Sequence, residues 1–159
     1  MILEGPDGWR ASGKQGQTRY WLSCTASFEC TFVNVITSTD AGKHELKLHR
    51  TMDGWKDANG LILPCSRNAL DPDIACTALT NTYPIRRLEK QGIADATIDV
   101  LFIPVPTLSP RIVSQRYTKV EDGWRYENTL SGFTALLSLD KDGLVTDYPG
   151  VCKRTKASS

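Results

Sequence analysis

Two adjacent arginines, Arg86 and Arg87, stand in the part of the chain that most strongly indicates chemistry. They follow Pro84 and lie between the apolar residues Ile85 and Leu88. A guanidinium stays charged inside a protein, and its burial without an anionic partner is costly. At least one of the two must therefore pair with a carboxylate within the protein or face an anionic ligand.

A third arginine, Arg116, lies in a segment of similar character at residues 115–117. A guanidinium binds phosphate, sulfate or carboxylate through two parallel hydrogen bonds. The alternative is that the arginines stabilise the fold through buried ion pairs. The carboxylates considered for such pairs are Asp71, Asp73 and Asp147. Both interpretations stay open, since they can hold for different arginines.

No enzyme signature accompanies these arginines. The sequence contains no Gly-x-Ser-x-Gly elbow, no His-Glu-x-x-His, no P-loop and no Gly-x-Gly-x-x-Gly. Carboxylates are plentiful, but no two show a spacing that requires acid–base catalysis. The histidines, His44 and His49, do not cluster with cysteines in the sequence, which argues against a zinc site. We therefore predict no catalytic residue, no metal ligand and no cofactor.

The size and charge of the chain narrow the class of protein further. Its 159 residues suit one domain. A net charge of +1 argues against nucleic-acid binding and against a polybasic membrane anchor. The longest apolar run, residues 101–106, is too short to span a bilayer, and no export signal is recognisable. These features predict a cytoplasmic protein without nucleic-acid partner or integral membrane contact, and they leave the oligomeric state open.

The cysteines indicate a reducing environment. Their number is odd and no pair has Cys-x-x-Cys spacing. They are Cys24, Cys30, Cys65, Cys76 and Cys152. We predict buried, reduced thiols, with a disulfide between Cys65 and Cys76 left open as an alternative.

Alternation with a period of two dominates the secondary-structure pattern. It predicts one long strand, or two strands joined by a bend, over residues 20–32, and further strands at 44–50, 97–105, 111–120 and 133–139. Asp-Gly and Asn-Gly pairs mark the turns. A short helix is expected at residues 85–91, closed by Gly92. The sequence thus predicts a mostly β fold with about eight strands, whose antiparallel sheet must curl, and one or two short helices.

Three segments differ in composition. Residues 1–19 are rich in Gly, Lys, Gln and Ser and predict a loop-like lead-in, which would leave the first strands of the sheet truncated. Residues 20–154 are expected to form a single curved β-sheet domain. Residues 155–159 are expected to be a disordered tail.

The aromatic side chains of the strands are candidates to line a concave apolar cavity inside the curled sheet. The alternative is that they pack in the core. They are Tyr20, Trp21, Phe28, Phe32, Trp124, Tyr126 and Tyr148.

Three motifs resemble those of a known family. They are Thr-Asn-Thr-Tyr-Pro-Ile-Arg-Arg-Leu at residues 80–88, Gln-Arg-Tyr at 115–117 and Gly-Leu-Val-Thr-Asp-Tyr-Pro-Gly at 143–150. In order and separation they resemble the motifs of the putative glycolipid-binding family. The resemblance covers residues 20–154 and is stronger in the second half of the chain. Family members usually carry additional strands before the position of Tyr20.

The resemblance implies a half-open barrel of the lipoprotein-carrier kind and non-enzymatic binding of a lipid or glycolipid. An arginine or tyrosine would hold the polar head, and the apolar cavity would hold the chain. The alternatives are a small-molecule hydrolase or isomerase that uses the cavity, and a protein-interaction module that uses an open sheet edge. The candidate ligand-binding residues that the motifs supply are Asn81, Tyr83, Arg86, Arg87, Gln115, Arg116, Tyr117 and Tyr148.

Overall fold

The computed structural model describes residues 2–149 and 152–153, which form thirteen strands and one α-helix. The tail predicted to be disordered, residues 155–159, lies outside the described residues. In chain order the elements are β1 Ile2–Gly5, β2 Gly8–Gln15, β3 Thr18–Cys24, β4 Cys30–Thr39, β5 Gly42–Thr51, β6 Gly54–Asp57, β7 Asp71–Ile74, α1 Leu79–Gln91, β8 Asp95–Ile103, β9 Arg111–Val120, β10 Gly123–Asn128, β11 Thr134–Leu139, β12 Val145–Tyr148 and β13 Cys152–Lys153.

Two sheets contain these strands. A six-stranded antiparallel sheet has the order β1-β2-β3-β4-β5-β6, and a seven-stranded, strongly curled sheet has the order β13-β12-β11-β10-β9-β8-β7. The predicted mostly β, half-barrel fold with a short helix is therefore confirmed. One pair departs from the antiparallel expectation: β7 runs parallel to β8, because α1 returns the chain to the starting end of β7 before β8 begins.

The alternation over residues 20–32 marks two strands rather than one. β3 alternates regularly, with Thr18, Tyr20, Leu22 and Cys24 buried. A turn at residues 25–29 then reverses the chain into β4, which pairs with β3 in antiparallel register. The second half of the alternation therefore belongs to this turn and to the start of β4.

The prediction of a loop-like lead-in at residues 1–19 is wrong. β1 and β2 occupy this segment and extend the sheet, with Trp9 paired to Cys24 and Gly13 paired to Tyr20. Gly13 contributed to the loop prediction, but close packing explains why a glycine occupies this strand position. A Cβ at Gly13 would lie 2.2 Å from the Tyr20 hydroxyl, so this strand position accepts no side chain. Two strands of the six-stranded sheet therefore precede residue 18.

The helix α1 begins at Leu79 rather than at residue 85, so the predicted start is wrong. Pro84 lies inside the helix, where it removes a backbone donor, and this is why the sequence suggested a later start. The end agrees with the prediction, because Gly92 follows Gln91 with a φ of 70° and its N–H caps the helix.

The helix lies between two clusters of buried side chains. Tyr83 packs into a cluster formed mainly by β3, β4, β5 and β8, whose largest member is Trp55. Ile85 and Leu88 pack into a second cluster, formed with the curled sheet around Trp124. The helix therefore covers the inner face of the curled sheet and fills much of the space that the sequence analysis assigned to a hollow.

Cys24, Cys30 and Cys65 carry free thiols. Cys24 and Cys30 are buried, as predicted, and their sulfur atoms lie 2.7 Å apart. Cys65 is exposed and carries a free thiol, so the prediction of a buried thiol is wrong for it. Cys76 is half-buried, and the structure shows no disulfide between Cys65 and Cys76. The Cys152 side chain lies outside the described part.

One buried ion pair joins the helix to the sheet. Arg87 donates to both carboxyl oxygens of Asp71 on β7, over 2.7 and 2.5 Å. The two side chains are 6% and 1% exposed, so this contact is screened from water. A further N–H of Arg87 donates to the Phe28 carbonyl over 3.0 Å. This arginine therefore connects α1 to β7 and to the turn at residues 25–29.

The pair is ionised despite its burial. Burial raises the pKa of the Asp71 carboxyl, and the hydrogen bonds from Arg87 oppose that shift. Burial lowers the pKa of Arg87, but the hydrogen bonds and the charge of Asp71 outweigh it and the pKa is raised. Because a guanidinium does not deprotonate in proteins and two of its N–H groups meet the two carboxyl oxygens, the carboxyl is a carboxylate.

Arg116 also forms an ion pair, but at the surface and with a partner that the sequence analysis did not consider. It donates to the two carboxyl oxygens of Asp95 over 2.9 and 2.6 Å. The hydrogen bonds from Arg116 lower the pKa of the Asp95 carboxyl. Both side chains are almost half exposed, so solvent screens this contact. The alternative of a buried ion pair thus holds for Arg87 with a predicted partner. It does not hold for Arg116, whose ion pair is exposed and involves a carboxylate that was not predicted.

Arg87→Met tests the buried ion pair. The substitution keeps an apolar stem and leaves Asp71 buried without its cation, so we expect the free energy of unfolding to fall by about 3–5 kcal/mol in urea denaturation. Arg116→Met is the matched control, since it breaks a solvent-screened pair and should leave the stability nearly unchanged. Similar losses for the two variants would show that Arg87 has no special structural role.

Candidate functional site

Arg86 lies next to Arg87 on α1 but contacts a different surface. Its guanidinium carbon lies 4.8 Å from the ring centroid of Phe28 and 5.3 Å from that of Trp9. The two rings are themselves 5.3 Å apart and tilted by 30°. Arg86 also donates to the backbone carbonyl of Asp142. Cation–π attraction and this hydrogen bond hold the half-buried guanidinium in a fixed position.

The conformation of the turn at residues 25–29 allows Phe28 to contact both Arg86 and Arg87. Phe28 has a positive φ of 63°, which is unusual for a residue with a side chain. Its carbonyl accepts the hydrogen bond from Arg87, while its ring faces Arg86. The N–H of Phe28 closes the turn by donating to the Thr25 carbonyl over 3.0 Å. The local strain is therefore compensated by contacts on both sides of this residue.

A groove of about 940 Å³ surrounds Arg86. Its wall combines aromatic and basic side chains with two acidic ones and several glycines. The lining residues are Gly5, Gly8, Trp9, Ala26, Phe28, Arg86, Glu89, Lys90, Lys141, Asp142, Gly143 and Leu144. This cavity is an open groove of mixed polarity, which differs from the concave apolar cavity expected from the sequence. We call it the Arg86 groove.

A second set of residues meets at the opposite end of α1, around Asp73. The Gln115 side-chain amide donates to one carboxyl oxygen of Asp73 over 2.6 Å, and the Thr80 hydroxyl donates to the other over 3.2 Å. Behind them the Tyr117 hydroxyl lies 2.9 Å from the Gln115 amide oxygen and 2.7 Å from that of Asn81. These contacts fix the orientation of the Asp73 carboxyl.

Asp73 borders a pocket of about 270 Å³. Three aromatic rings, those of Tyr126, Phe133 and Tyr148, also border it. The other lining residues are Ile74, Ala75, Thr77, Phe102, Asn128 and Ser131. The centroids of the three rings are 5.7–6.3 Å apart, and their planes meet at 60–77°. We call this space the Asp73 pocket.

The electrostatic environment of this pocket is unusual. Burial raises the pKa of the Asp73 carboxyl, and the hydrogen bonds from Gln115 and Thr80 oppose that shift. Burial and the neighbouring charge of Asp73 raise the pKa of Tyr126 to about 12 and that of Tyr117 well above its ordinary value. The phenols therefore stay protonated at neutral pH, and Asp73 is the acidic group that titrates.

The eight candidate residues of the sequence analysis fall into four places. Tyr148 borders the Asp73 pocket, while Asn81, Gln115 and Tyr117 lie buried behind it. Arg86 borders the Arg86 groove. Arg87 and Arg116 form the ion pairs described above. Tyr83 is buried in the first core cluster, where burial raises its pKa.

Sequence reasoning did not identify three residues of these sites. Trp9 lies in the segment interpreted as a loop, and Phe133 was taken only as the start of a strand. Asp73 was considered as an ion-pair partner and not as part of a pocket. The sequence did contain a signal for Asp73, because it is separated from Asp71 by one residue. Positions i and i+2 of a strand face the same side, so a strand here would place the two carboxyls on one face of the sheet.

Asp73→Asn tests the raised pKa. Because the folded protein binds the Asp73 proton more tightly than the unfolded chain does, the resulting stability is complete below about pH 4 and is lost as the pH rises through the folded-state pKa. We expect the free energy of unfolding of Asp73→Asn, relative to that of the wild type, to increase with pH above about pH 4, measured by urea denaturation. Asp71 is present in both proteins and cancels. A difference independent of pH would contradict the shift.

Two searches of the described residues give negative results. No group of three or more His, Cys, Asp or Glu side chains is placed to hold a metal ion. No helix is long and apolar enough to cross a membrane.

Comparisons with known proteins place this chain in a family. No curated protein matches it. The chain is similar to a crystal structure of a DUF1089 family protein from Pseudomonas aeruginosa, with 34% sequence identity and a TM-score of 0.80. The similarity covers 98% of this chain and 90% of that chain. A family model described as putative glycolipid-binding matches residues 2–154, so the match includes β1 and β2 and begins well before residue 20. The chain therefore belongs to the family that is described as putative glycolipid-binding.

Proposed function

We propose that this protein binds a lipid or glycolipid without catalysis and holds the polar head of the ligand in the Arg86 groove. The observation that carries the proposal is the position of Arg86, which lies against two aromatic rings and borders a groove of about 940 Å³. The name of the family supports the same class of ligand.

The chemistry of the groove suits an amphiphile with a sugar head. Trp9 is half-buried, so part of its indole remains accessible, and an indole face packs well on a sugar ring. Arg86, Lys90 and Lys141 supply hydrogen-bond donors and positive charge. Phe28 and Leu144 supply apolar surface for the adjoining part of a chain. A volume of about 940 Å³ lies within the usual range for small-molecule sites.

The contacts assign different roles to the candidate residues. Arg86 is proposed to contact the ligand in the groove. Arg87 is proposed to act indirectly, because it is buried and holds the Phe28 carbonyl. Arg116 lies in an exposed ion pair with Asp95 and does not border the groove.

The hydrolase or isomerase alternative requires a titratable group with a shifted pKa that faces a cavity. Asp73 meets that requirement. Catalysis would need a second group, and among the described residues that border the pocket there is no imidazole, no thiol and no second carboxyl. Cys30 is no substitute, since burial raises the pKa of its thiol and it borders neither cavity. Binding therefore remains the proposed function.

The interaction-module alternative, the cytoplasmic location and the absence of a nucleic-acid partner remain predictions. The described edge strands include β6 at one side of the six-stranded sheet. An isolated bridge between Lys56 and Ile62 covers part of β6, which leaves less of this edge open for pairing with another chain.

A titration with two matched amphiphiles tests the proposal. Octyl glucoside and octyl glucuronide differ in one carboxylate, and tryptophan fluorescence reports binding near Trp9. We expect tighter binding of the glucuronide, and we expect Arg86→Gln to weaken it by about tenfold or more, because a charge-assisted hydrogen bond is lost. Arg116→Gln is the control and should bind like the wild type. Equal affinities of Arg86→Gln and wild type for both amphiphiles would contradict the proposal.

A further inference from the structure

Strand β7 presents two carboxyls to the inner face of the curled sheet, and only one of them has a cation. Asp71 and Asp73 are separated by one residue, so both point toward α1. Asp71 receives the guanidinium of Arg87. Asp73 receives only neutral donors, Gln115 and Thr80, and forms no ion pair with any described residue.

The surroundings of Asp73 are therefore those of a carboxyl without charge compensation. Arg111 lies on the same row of the sheet, two strands away, but its guanidinium packs on the Phe102 ring with its carbon 4.7 Å from the centroid. Burial disfavours a carboxylate that has no cationic partner. Asp73 is nevertheless only half-buried, and this residue borders the Asp73 pocket. A cation that entered this pocket would supply the missing charge.

Aromatic rings form much of the rest of the pocket. Tyr126, Phe133 and Tyr148 border it, and each ring lies at a steep angle to the other two. Aromatic rings stabilise a nearby cation through the negative potential of their faces, and clusters of several rings recognise substituted ammonium groups. The polar residues Thr77, Asn128 and Ser131 also border the pocket.

We propose that the Asp73 pocket binds a small organic cation, a primary or quaternary ammonium group, with Asp73 as the counter-ion and the three aromatic rings as its walls. A volume of about 270 Å³ is small for a ligand site and suits a compact head rather than a whole lipid. This site is separate from the Arg86 groove, since the two share no lining residue. The proposal does not depend on the proposed glycolipid function.

Binding should be linked to the protonation of Asp73. A cation favours the carboxylate and so competes with the proton, which means that affinity rises with pH until Asp73 is fully ionised. The other titratable groups near Asp73 are the Asp71 carboxyl on the same face of β7, which is paired with Arg87, and the phenols of Tyr117, Tyr126 and Tyr148. The neighbouring cation is Arg111. The phenols of Tyr117 and Tyr126 stay protonated well above neutral pH. Asp73 is therefore the group that should set the pH dependence.

A titration with choline tests the proposal, and 3,3-dimethylbutan-1-ol, its neutral isostere, is the matched control ligand. The chemical shifts of the tyrosine rings report occupancy of the pocket by NMR. We expect choline to bind at least about tenfold more tightly than the isostere, and more tightly as the pH rises. We expect Asp73→Asn, which preserves the shape of the side chain, to remove both the preference and the pH dependence.

Two further variants keep the test independent of folding. Phe133→Leu removes a partly exposed ring and should weaken choline binding, whereas Asp95→Asn removes an exposed carboxyl outside the pocket and should leave it unchanged. Equal binding of choline and its isostere, or unchanged binding by Asp73→Asn, would overturn the proposal. Saturable binding of methyl glucoside in the same pocket, with no response to choline, would also overturn it and indicate a sugar site.

Arg86→Gln separates this proposal from the glycolipid function. The substitution lies in the other cavity and should not change choline binding. If Arg86→Gln loses glycolipid binding and retains choline binding, the effect is confined to the Arg86 groove. If Asp73→Asn loses choline binding and retains glycolipid binding, the effect is confined to the Asp73 pocket.

Discussion

The buried ion pair between Arg87 and Asp71 is the contact on which the arrangement of this protein depends. The pair is screened from water, and it joins α1 to β7, the strand at one edge of the curled sheet. The same guanidinium holds the carbonyl of Phe28, so the turn at residues 25–29 of the other sheet is tied to the same point. A buried guanidinium tolerates few alternative positions, because any displacement leaves an unpaired charge. The pair therefore fixes the helix relative to both sheets.

The position of the helix then determines which cavity lies near each of its two ends. Near its C-terminal end Arg86, adjacent to the anchored Arg87, faces outward onto Phe28 and Trp9 and borders a wide groove. Near its N-terminal end Thr80 reaches Asp73, which borders a small aromatic pocket. Charge distinguishes the two cavities: basic side chains predominate around the first, and an uncompensated carboxyl lies in the second. The helix thus separates the two proposed sites, for which we expect ligand groups of opposite charge.

Local patterns predicted much of this fold, and long-range contacts account for what they missed. Alternation and Asp-Gly turns identified β5, β8, β9 and β11 to within a few residues, since both signals are encoded in adjacent positions. The sequence did not predict β2, because Gly13 suggested a loop. The glycine is required there by a tertiary contact, since a side chain at this position would collide with the Tyr20 hydroxyl. The setting of the arginine pair indicated that at least one guanidinium must pair with a carboxylate within the protein or face an anionic ligand. Which one, and by which aspartate, depends on how α1 lies against β7, and no local pattern encodes that.

A double-mutant cycle between Arg87 and Asp71 tests the central claim most directly. The measurement is the free energy of unfolding of Arg87→Met, Asp71→Leu and the double variant, by urea denaturation. If the pair fixes the helix, each single substitution leaves an unpaired buried charge, and the double variant loses much less stability than the sum of the two. Additive losses would contradict the account, because they would show that the two side chains contribute independently of their contact.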